Sequence, residues 1–243
     1  MSYTIDKIEI HTWLEAMRRQ PLSRLQQYKI THVEHRKSSR GFAHEYLIIA
    51  FHNPDPFQRY KRYAKLERGV KHNDSFSNST PSLLTSGAAV DPCDIISISH
   101  SRESFHAANS YSVFVMDFSN PISLVAPPTI ADLAAVLIAV QRMAPMYELY
   151  NHMCYWFARA VFEGLAFLCD GRIEDGERPW ARGRFLRIFR VSGTAVAPEG
   201  RDKMKEGKTK GRSKNKMIPS HVQAFRDCLR QCQRDFAGEL RWT

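Results

Sequence analysis

The sequence predicts an α+β fold in which an antiparallel sheet packs against helices. Two observations carry this prediction: strand-like segments follow one another through the first half of the chain, and long helical segments follow them. Runs of strands followed by runs of helices are typical of α+β proteins, whereas strict alternation is typical of parallel sheets. With 243 residues, 43% of them hydrophobic, the chain can bury a sizeable core.

Five strands are predicted from short runs that are bounded by turn-forming residues. They cover residues 30–36, 42–51, 59–68, 94–99 and 110–118. A Ser-, Arg- and Gly-containing turn separates the first two strands, and Asn53–Pro56 breaks the chain after the second. The stretch Val70–Pro92, rich in Ser, Asn and Thr, is predicted to be a long surface loop.

The helix predictions rest on apolar spacing and capping residues. Helices are predicted over residues 6–20, over Thr129–Gln141, from Cys154 onward and from Ser220 onward, with a short late strand over 185–191. In Thr-Ile-Ala-Asp at 129–132, the threonine and the acid three residues later have the spacing of a capping box.

The chain divides into three parts by composition. Residues 1–197 are predicted to form a single catalytic-like α+β domain, residues 198–217 a basic flexible loop, and residues 218–243 a C-terminal helix packed on the domain. The last helix places one apolar stripe on a single face, and this face is expected to meet the domain. The stripe consists of Val222, Phe225, Leu229, Cys232 and Phe236.

The net charge of +10 is concentrated in one segment. Arg201–Lys216 holds eight Lys or Arg residues and two acids, which is more than half of the excess. This distribution predicts one basic segment attached to a mildly basic globule, with no basic domain. A polyanion is a candidate partner of residues 201–216, and a solvated loop is the alternative.

No membrane, metal or cofactor signature stands out. The longest clean apolar run, Leu133–Val140, is far shorter than the roughly 20 residues of a spanning helix, and no apolar signal segment begins the chain. Five scattered cysteines indicate a reducing compartment, so we expect a cytoplasmic or nuclear protein. No bound metal or cofactor is expected: His32 and His35 would point to opposite faces of a strand, and no glycine-rich phosphate loop is found. Cys228 and Cys232 are better explained by core packing.

Cys154 and His44 are the candidate catalytic residues. Cys154 opens an apolar helical stretch, and the dipole and free N–H groups of a helix N-terminus favour the nucleophilic thiolate. His44 stands at the start of a strand-like run more than a hundred residues upstream. If the fold joins them, they form a Cys-His pair. The alternative is that Cys154 is an inert buried thiol.

Glu67 is the candidate third member. If the second and third strands form a hairpin, one register puts His44 opposite Glu67, whose carboxylate could orient the imidazole. A slip of one residue would turn Glu67 to the other face. The alternative is a strand-end charge paired with Lys65 or Arg68.

The runs His44-Glu45-Tyr46, Leu66-Glu67-Arg68 and Cys154-Tyr155-Trp156-Phe157-Ala158 resemble the permuted papain-like fold. That group includes NlpC-type and lecithin:retinol acyltransferase-like cysteine hydrolases. Within it, the layout over residues 28–168 is similar to uncharacterised fungal proteins with an Asn-Cys-Tyr-Trp-Phe-Ala-like run. Met153 stands where those proteins have the asparagine before the cysteine, and the nearest asparagine is Asn151.

The resemblance implies a thiol hydrolase or acyltransferase that acts on an amide, ester or thioester of a small molecule or peptide. The backbone N–H of Cys154 would hold the oxyanion, and Asn151 and His152 are candidate further donors by proximity. Trp156 is a candidate pocket residue, although aromatic side chains at a helix start usually pack into the core. The alternative function is a non-enzymatic binding protein of degenerate papain-like fold that holds an acidic partner through its basic segment.

Overall fold

The computed structural model describes residues 5–39, 44–52, 61–70, 91–105, 109–118, 126–145, 154–169, 172–181, 184–185, 189–190 and 220–239. Within these ranges a seven-stranded antiparallel sheet packs against helices, so the predicted α+β class is confirmed. No helix in these ranges combines the length and the apolar character needed to cross a membrane.

The large sheet runs in the order β1-β5-β4-β3-β2-β6-β7, and each neighbouring pair is antiparallel. Its strands are β1 (Asp6–Glu9), β2 (Lys29–Ser38), β3 (Glu45–His52), β4 (Arg62–Val70), β5 (Pro92–Ser99), β6 (Ser110–Asp117) and β7 (Arg172–Asp175). The five predicted strands correspond to β2 through β6, with ends displaced by a few residues.

The strand β3 lies at the centre of the sheet and is buried on both faces. Leu47, Ile49 and Phe51 point into the main core, whereas Tyr46 and Ile48 pack with Phe105 on the other face. A central strand covered on both sides needs an unbroken apolar run, because successive side chains point to opposite faces. The uninterrupted sequence Tyr46–Phe51 meets this requirement.

The helices cover one face of the sheet. They are α1 (Ile10–Arg18), α2 (Leu22–Gln27), α3 (Ile130–Met143), α4 (Cys154–Cys169) and α5 (Ser220–Glu239). The predicted capping box is present, since the Thr129 side chain accepts from the Asp132 N–H while Asp132 accepts from the Thr129 N–H. α3 is apolar on nearly all sides because it is surrounded by other helices.

A glycine allows α4 to approach α3 closely. A Cβ built on Gly164 would lie 2.9 Å from a methyl carbon of Val136, closer than packed carbon atoms tolerate. α5 completes this layer, and Phe225, Leu229, Cys232 and Phe236 of the predicted stripe are buried in the core. This helix layer holds the N-terminus of α4 in a fixed relation to the sheet.

Two predicted elements are corrected. The helix expected over 6–20 is a strand, β1, followed by α1, because the backbone of Asp6–Glu9 pairs with β5 and forms the edge of the sheet. The late strand expected over 185–191 is instead two paired two-residue strands, β8 (Arg184–Phe185) and β9 (Phe189–Arg190). Most of the predicted loop Val70–Pro92 and the basic segment Arg201–Lys216 lie outside the described residues, while Val70 and Pro92 themselves belong to β4 and β5.

Candidate active site

One end of the sheet is organised around Arg68 of β4, which is fully buried. Its guanidinium donates to both carboxylate oxygens of Asp94, at 2.7 and 2.8 Å, and to the Ala144 carbonyl at 3.2 Å. The same group lies 5.0 Å from the centre of the Phe157 ring, in the first turn of α4. Arg68 therefore joins β4, β5, the end of α3 and the start of α4. Loss of one partner of such a buried pair typically costs about 3–5 kcal/mol.

Cys154 is the first residue of α4, as predicted, and only 8% of it is exposed. The N–H groups in the first turn of a helix have no carbonyl partner within the helix. Together with the positive end of the helix dipole, they stabilise negative charge at this position. The location of Cys154 therefore offers a backbone donor to an oxyanion.

His44 immediately precedes β3 and contacts both of the residues proposed as its partners. Its Nε2 atom lies 3.0 Å from Oε2 of Glu67. Its ring stacks on Tyr46, with centroids 6.0 Å apart, and its side chain also forms a hydrogen bond with Cys154.

These contacts favour the imidazolium form of His44. Burial alone would lower the pKa of His44, but hydrogen bonds and charge interactions with Cys154 and Glu67 outweigh it. The resulting pKa is about 9, well above the ordinary value of 6.5. At neutral pH this imidazole carries a proton that it can give to a leaving group.

Glu67 combines the two roles that the sequence left open. Its carboxylate accepts from Lys65 at 2.7 Å as well as from His44, whereas Arg68 pairs with Asp94. Burial would raise the pKa of Glu67, but the His44 hydrogen bond and the Lys65 charge lower it to about 2. Glu67 is thus ionised at neutral pH and can hold the imidazole.

The assumed register of the β3–β4 hairpin was wrong by two residues. The observed pairs run from Leu47↔Leu66 to Phe51↔Arg62. Continued by one pair, this register places Glu67 opposite Tyr46, diagonal to His44. A shift of two residues keeps every side chain on its original face, so the His44–Glu67 contact survives.

The remaining predicted site residues are less informative. Asn151 and His152 lie outside the described residues. Trp156 is half-buried against the core, and its ring centre lies 5.8 Å from the Arg68 guanidinium. Its surroundings agree with the alternative that the sequence offered, an aromatic side chain that packs.

Sequence reasoning missed a buried charge cluster next to His44. The Glu45 carboxylate accepts from Lys37 Nζ at 2.6 Å and lies 2.8 Å from His35 Nε2, with all three side chains less than 5% exposed. Burial would raise the pKa of Glu45, but these two basic partners lower it. The sequence carried one signal for this cluster, because Lys37 and Glu45 have opposite charges and lie across the predicted hairpin from each other. In the structure they form a directly opposed pair. The cluster anchors the start of β3 one residue after His44.

A cleft of about 220 Å³ opens at the same end of the sheet. Arg68 and Asp94 line it from the sheet, and Ala144 and Pro145 line it from the end of α3. Cys154, His44 and Glu67 are not among the residues that line it.

The other four cysteines form no disulfide with one another or with Cys154. Cys232 is buried in the core and Cys228 packs against it, which agrees with the predicted packing role. Burial raises the pKa of Cys169 to about 12 and, with the neighbouring Cys228, that of Cys232 to about 11. Among the described cysteines, Cys154 alone combines a helix start with a hydrogen-bonded histidine.

The fold and this cluster define an α+β protein with a candidate Cys-His-Glu site. Comparison of the chain with protein-family models, curated proteins and solved structures finds no match. Any assignment of function therefore depends on the geometry of the site itself.

Proposed function

We propose that this protein is a cysteine-dependent hydrolase or acyltransferase that acts on an amide, ester or thioester. The observation that carries the proposal is the His44 imidazole, which lies between the Cys154 side chain and the Glu67 carboxylate. A nucleophile, a proton carrier and an orienting acid in hydrogen-bonded sequence are the recurring parts of nucleophilic catalysis. Here they come from three separate elements.

In the proposed reaction, Cys154 Sγ attacks the carbonyl carbon of the substrate as a thiolate. The carbonyl oxygen becomes an oxyanion, and the N–H of Cys154 at the start of α4 can hold it. The tetrahedral intermediate collapses when the bond between the carbonyl carbon and the leaving group breaks. The imidazolium of His44 gives its proton to that group. The product is a thioester on Cys154.

The second half of the reaction releases the acyl group. His44, now neutral, takes a proton from water or from an acceptor amine or alcohol as that nucleophile attacks the thioester. Collapse of the second tetrahedral intermediate expels the Cys154 sulfur as a thiolate. Because His44 now carries a proton, the starting pair of thiolate and imidazolium is restored. Glu67 keeps the imidazole oriented through both halves and stabilises its positive charge. No cofactor is required.

A permuted papain-like architecture is part of this proposal. The order of a histidine at a strand start, an apolar helix and a cysteine that opens a helix supports it. The departure at Met153 removes the asparagine side chain as a donor at that position, so the oxyanion depends more strongly on backbone N–H groups. We expect a small-molecule or peptide acyl substrate and a cytoplasmic or nuclear setting.

The proposal is tested by trapping the acyl-enzyme. The chain is incubated with a panel of activated acyl esters and thioesters, and the modified peptide is identified by mass spectrometry. We expect an acyl adduct on Cys154 that forms within the time of turnover. Cys154→Ala should abolish it, and His44→Ala should slow both its formation and its hydrolysis. Acylation spread evenly over the five cysteines, or turnover that persists in Cys154→Ala, would refute the proposal.

A further inference from the structure

Among the residues that the structure describes, the sheet surface beside His44 and Glu67 has a gap at Gly69. This residue pairs with Cys93 of β5, and the β3–β4 register, when continued, brings His44 opposite it on the other side. A Cβ built on Gly69 would meet only the Cys93 carbonyl oxygen, at 3.9 Å, among the described residues. The gap thus adjoins the proposed catalytic histidine.

Neither packing nor backbone conformation among the described residues calls for glycine here. At Gly164 the neighbouring helix leaves no room for a methyl group, but at Gly69 a methyl group would fit. The φ angle of Gly69 is also outside the left-handed region, so other residues could adopt it. A glycine inside a strand weakens the strand, and it often marks a place where a ligand approaches the backbone.

The neighbours of Gly69 on this face are apolar on the side away from His44. The pairs Gly69↔Cys93 and Glu67↔Ile95 place Cys93 and Ile95 on the same face as Gly69 and Glu67. Both Cys93 and Ile95 are half-buried, so part of each is accessible. The gap has a charged edge formed by His44 and Glu67, and an apolar floor formed by Cys93 and Ile95.

We infer that Gly69 is a specificity-determining residue that keeps a channel open for a slender apolar part of the substrate, such as a linear acyl chain. The inference rests on the proposed function, because His44 is the group that places this channel next to the sulfur of Cys154. An apolar chain bound over Gly69 would move out of water and into contact with Cys93 and Ile95. A side chain at position 69 would occupy the same space.

The test compares two alkylating reagents of different size. The rates of Cys154 modification by iodoacetamide and by N-hexyl iodoacetamide are measured on the Cys154 peptide, and their ratio is the readout. We expect Gly69→Leu to lower the ratio of the N-hexyl iodoacetamide rate to the iodoacetamide rate about tenfold or more. A blocked apolar pocket discriminates between a larger and a smaller apolar group to about this extent. Gly69→Ala adds one methyl group, and we expect a decrease of about three- to fourfold.

Gly238→Ala is the matched control, because an added Cβ on that α5 residue meets no described atom within 4 Å. Its ratio should equal that of the wild type. If Gly69→Leu does not fold, as judged by thermal unfolding, the ratio in Gly69→Ala decides. Wild-type ratios in the folded Gly69 variants would overturn the inference. Failure of the proposed function looks different: plain iodoacetamide would then show no preference for Cys154 in the wild-type chain.

Discussion

Cys154 and Cys169 are the two ends of the same helix, α4, and are equally buried, with 8% and 7% of each residue exposed. Cys154 meets the helix N-terminus and the imidazole of His44. Cys169 meets the C-terminus, where burial and the charge of Asp132 raise the pKa of its thiol to about 12. The negative end of the helix dipole disfavours a thiolate there as well.

The comparison teaches that burial alone does not decide what a cysteine can do. Both thiols have lost most of their contact with water, which by itself favours the neutral form. Only for Cys154 do a neighbouring cation and backbone N–H groups compensate for this loss of contact with water. The predictions below test whether that compensation makes the difference.

The largest expected effect is the difference in reactivity between the two thiols. A pKa about three units above the ordinary value of 9.0 lowers the thiolate fraction of Cys169 about a thousandfold near neutral pH. Higher intrinsic nucleophilicity of the more basic thiolate offsets part of this, which leaves a factor of about thirty or more. Timed labelling with iodoacetamide, read by peptide mass spectrometry, should show Cys154 modified first. Equal rates at the two ends of α4 would break the comparison.

His44→Ala should remove most of this advantage. Without the imidazole, the thiolate of Cys154 loses its cationic partner, and we expect alkylation near neutral pH to slow about tenfold to a hundredfold. His32→Ala is the matched control. His32 is about as exposed as His44, at 35% against 37% for the side chains, and lies 3.1 Å from its own acid, Glu34. An equal decrease in both variants would show a general effect on the fold.

The pH dependence should carry the signature of His44. We expect an inflection near pH 9 in the Cys154 alkylation rate, where the imidazolium loses its proton, and no such inflection in His44→Ala. Because the folded pKa lies above the ordinary value of 6.5, the stabilisation from protonated His44 is complete below about pH 6.5 and is lost as the pH rises through 9. The stability difference between wild type and His44→Ala, measured by denaturant unfolding, should shrink over that window. A difference that stays constant from pH 6 to 10 would contradict the assigned contacts.

Glu67→Gln should have a smaller effect than His44→Ala. The amide keeps a hydrogen-bond acceptor but removes the charge that stabilises the imidazolium, so the inflection should move from about pH 9 toward lower pH. We expect the alkylation rate at neutral pH to fall about three- to tenfold, which corresponds to a change of up to about one pKa unit in the pair. Lys65→Met is the control, since Lys65 contacts Glu67 at 2.7 Å and the Tyr46 ring at 4.7 Å. If the Lys65 pairing is the main role of Glu67, the two variants will behave alike.

The smallest expected effect is that of the basic segment. Deletion of residues 201–216 should leave Cys154 reactivity and the unfolding temperature nearly unchanged, because Met204 is the only large apolar side chain in the segment. Ordering a residue costs about 1–2 kcal/mol of backbone entropy, and a segment with little to bury has no compensating gain. Loss of labelling selectivity on deletion would mean that the segment belongs to the site.

The sequence by itself determined the parts of this protein that depend on local patterns. The apolar run of β3, the capping box of Thr129 and Asp132 and the helix that begins at Cys154 follow from residue spacing and capping chemistry. The helix predicted over 6–20 was wrong at Asp6–Glu9, because an edge strand forms only where another strand offers its backbone.

Only the tertiary structure decided the assembly of the site. His44, Glu67 and Cys154 lie on three elements separated by up to 110 residues in the chain, and no local preference encodes their distance. The hairpin register and the Glu45 anchor depend on which side chains meet across strands. The contacts of the buried Arg68, which joins the sheet to the helices, likewise depend on which side chains the fold brings together. Such contacts become favourable only when the whole core excludes water around them, so spacing in the sequence cannot reveal them.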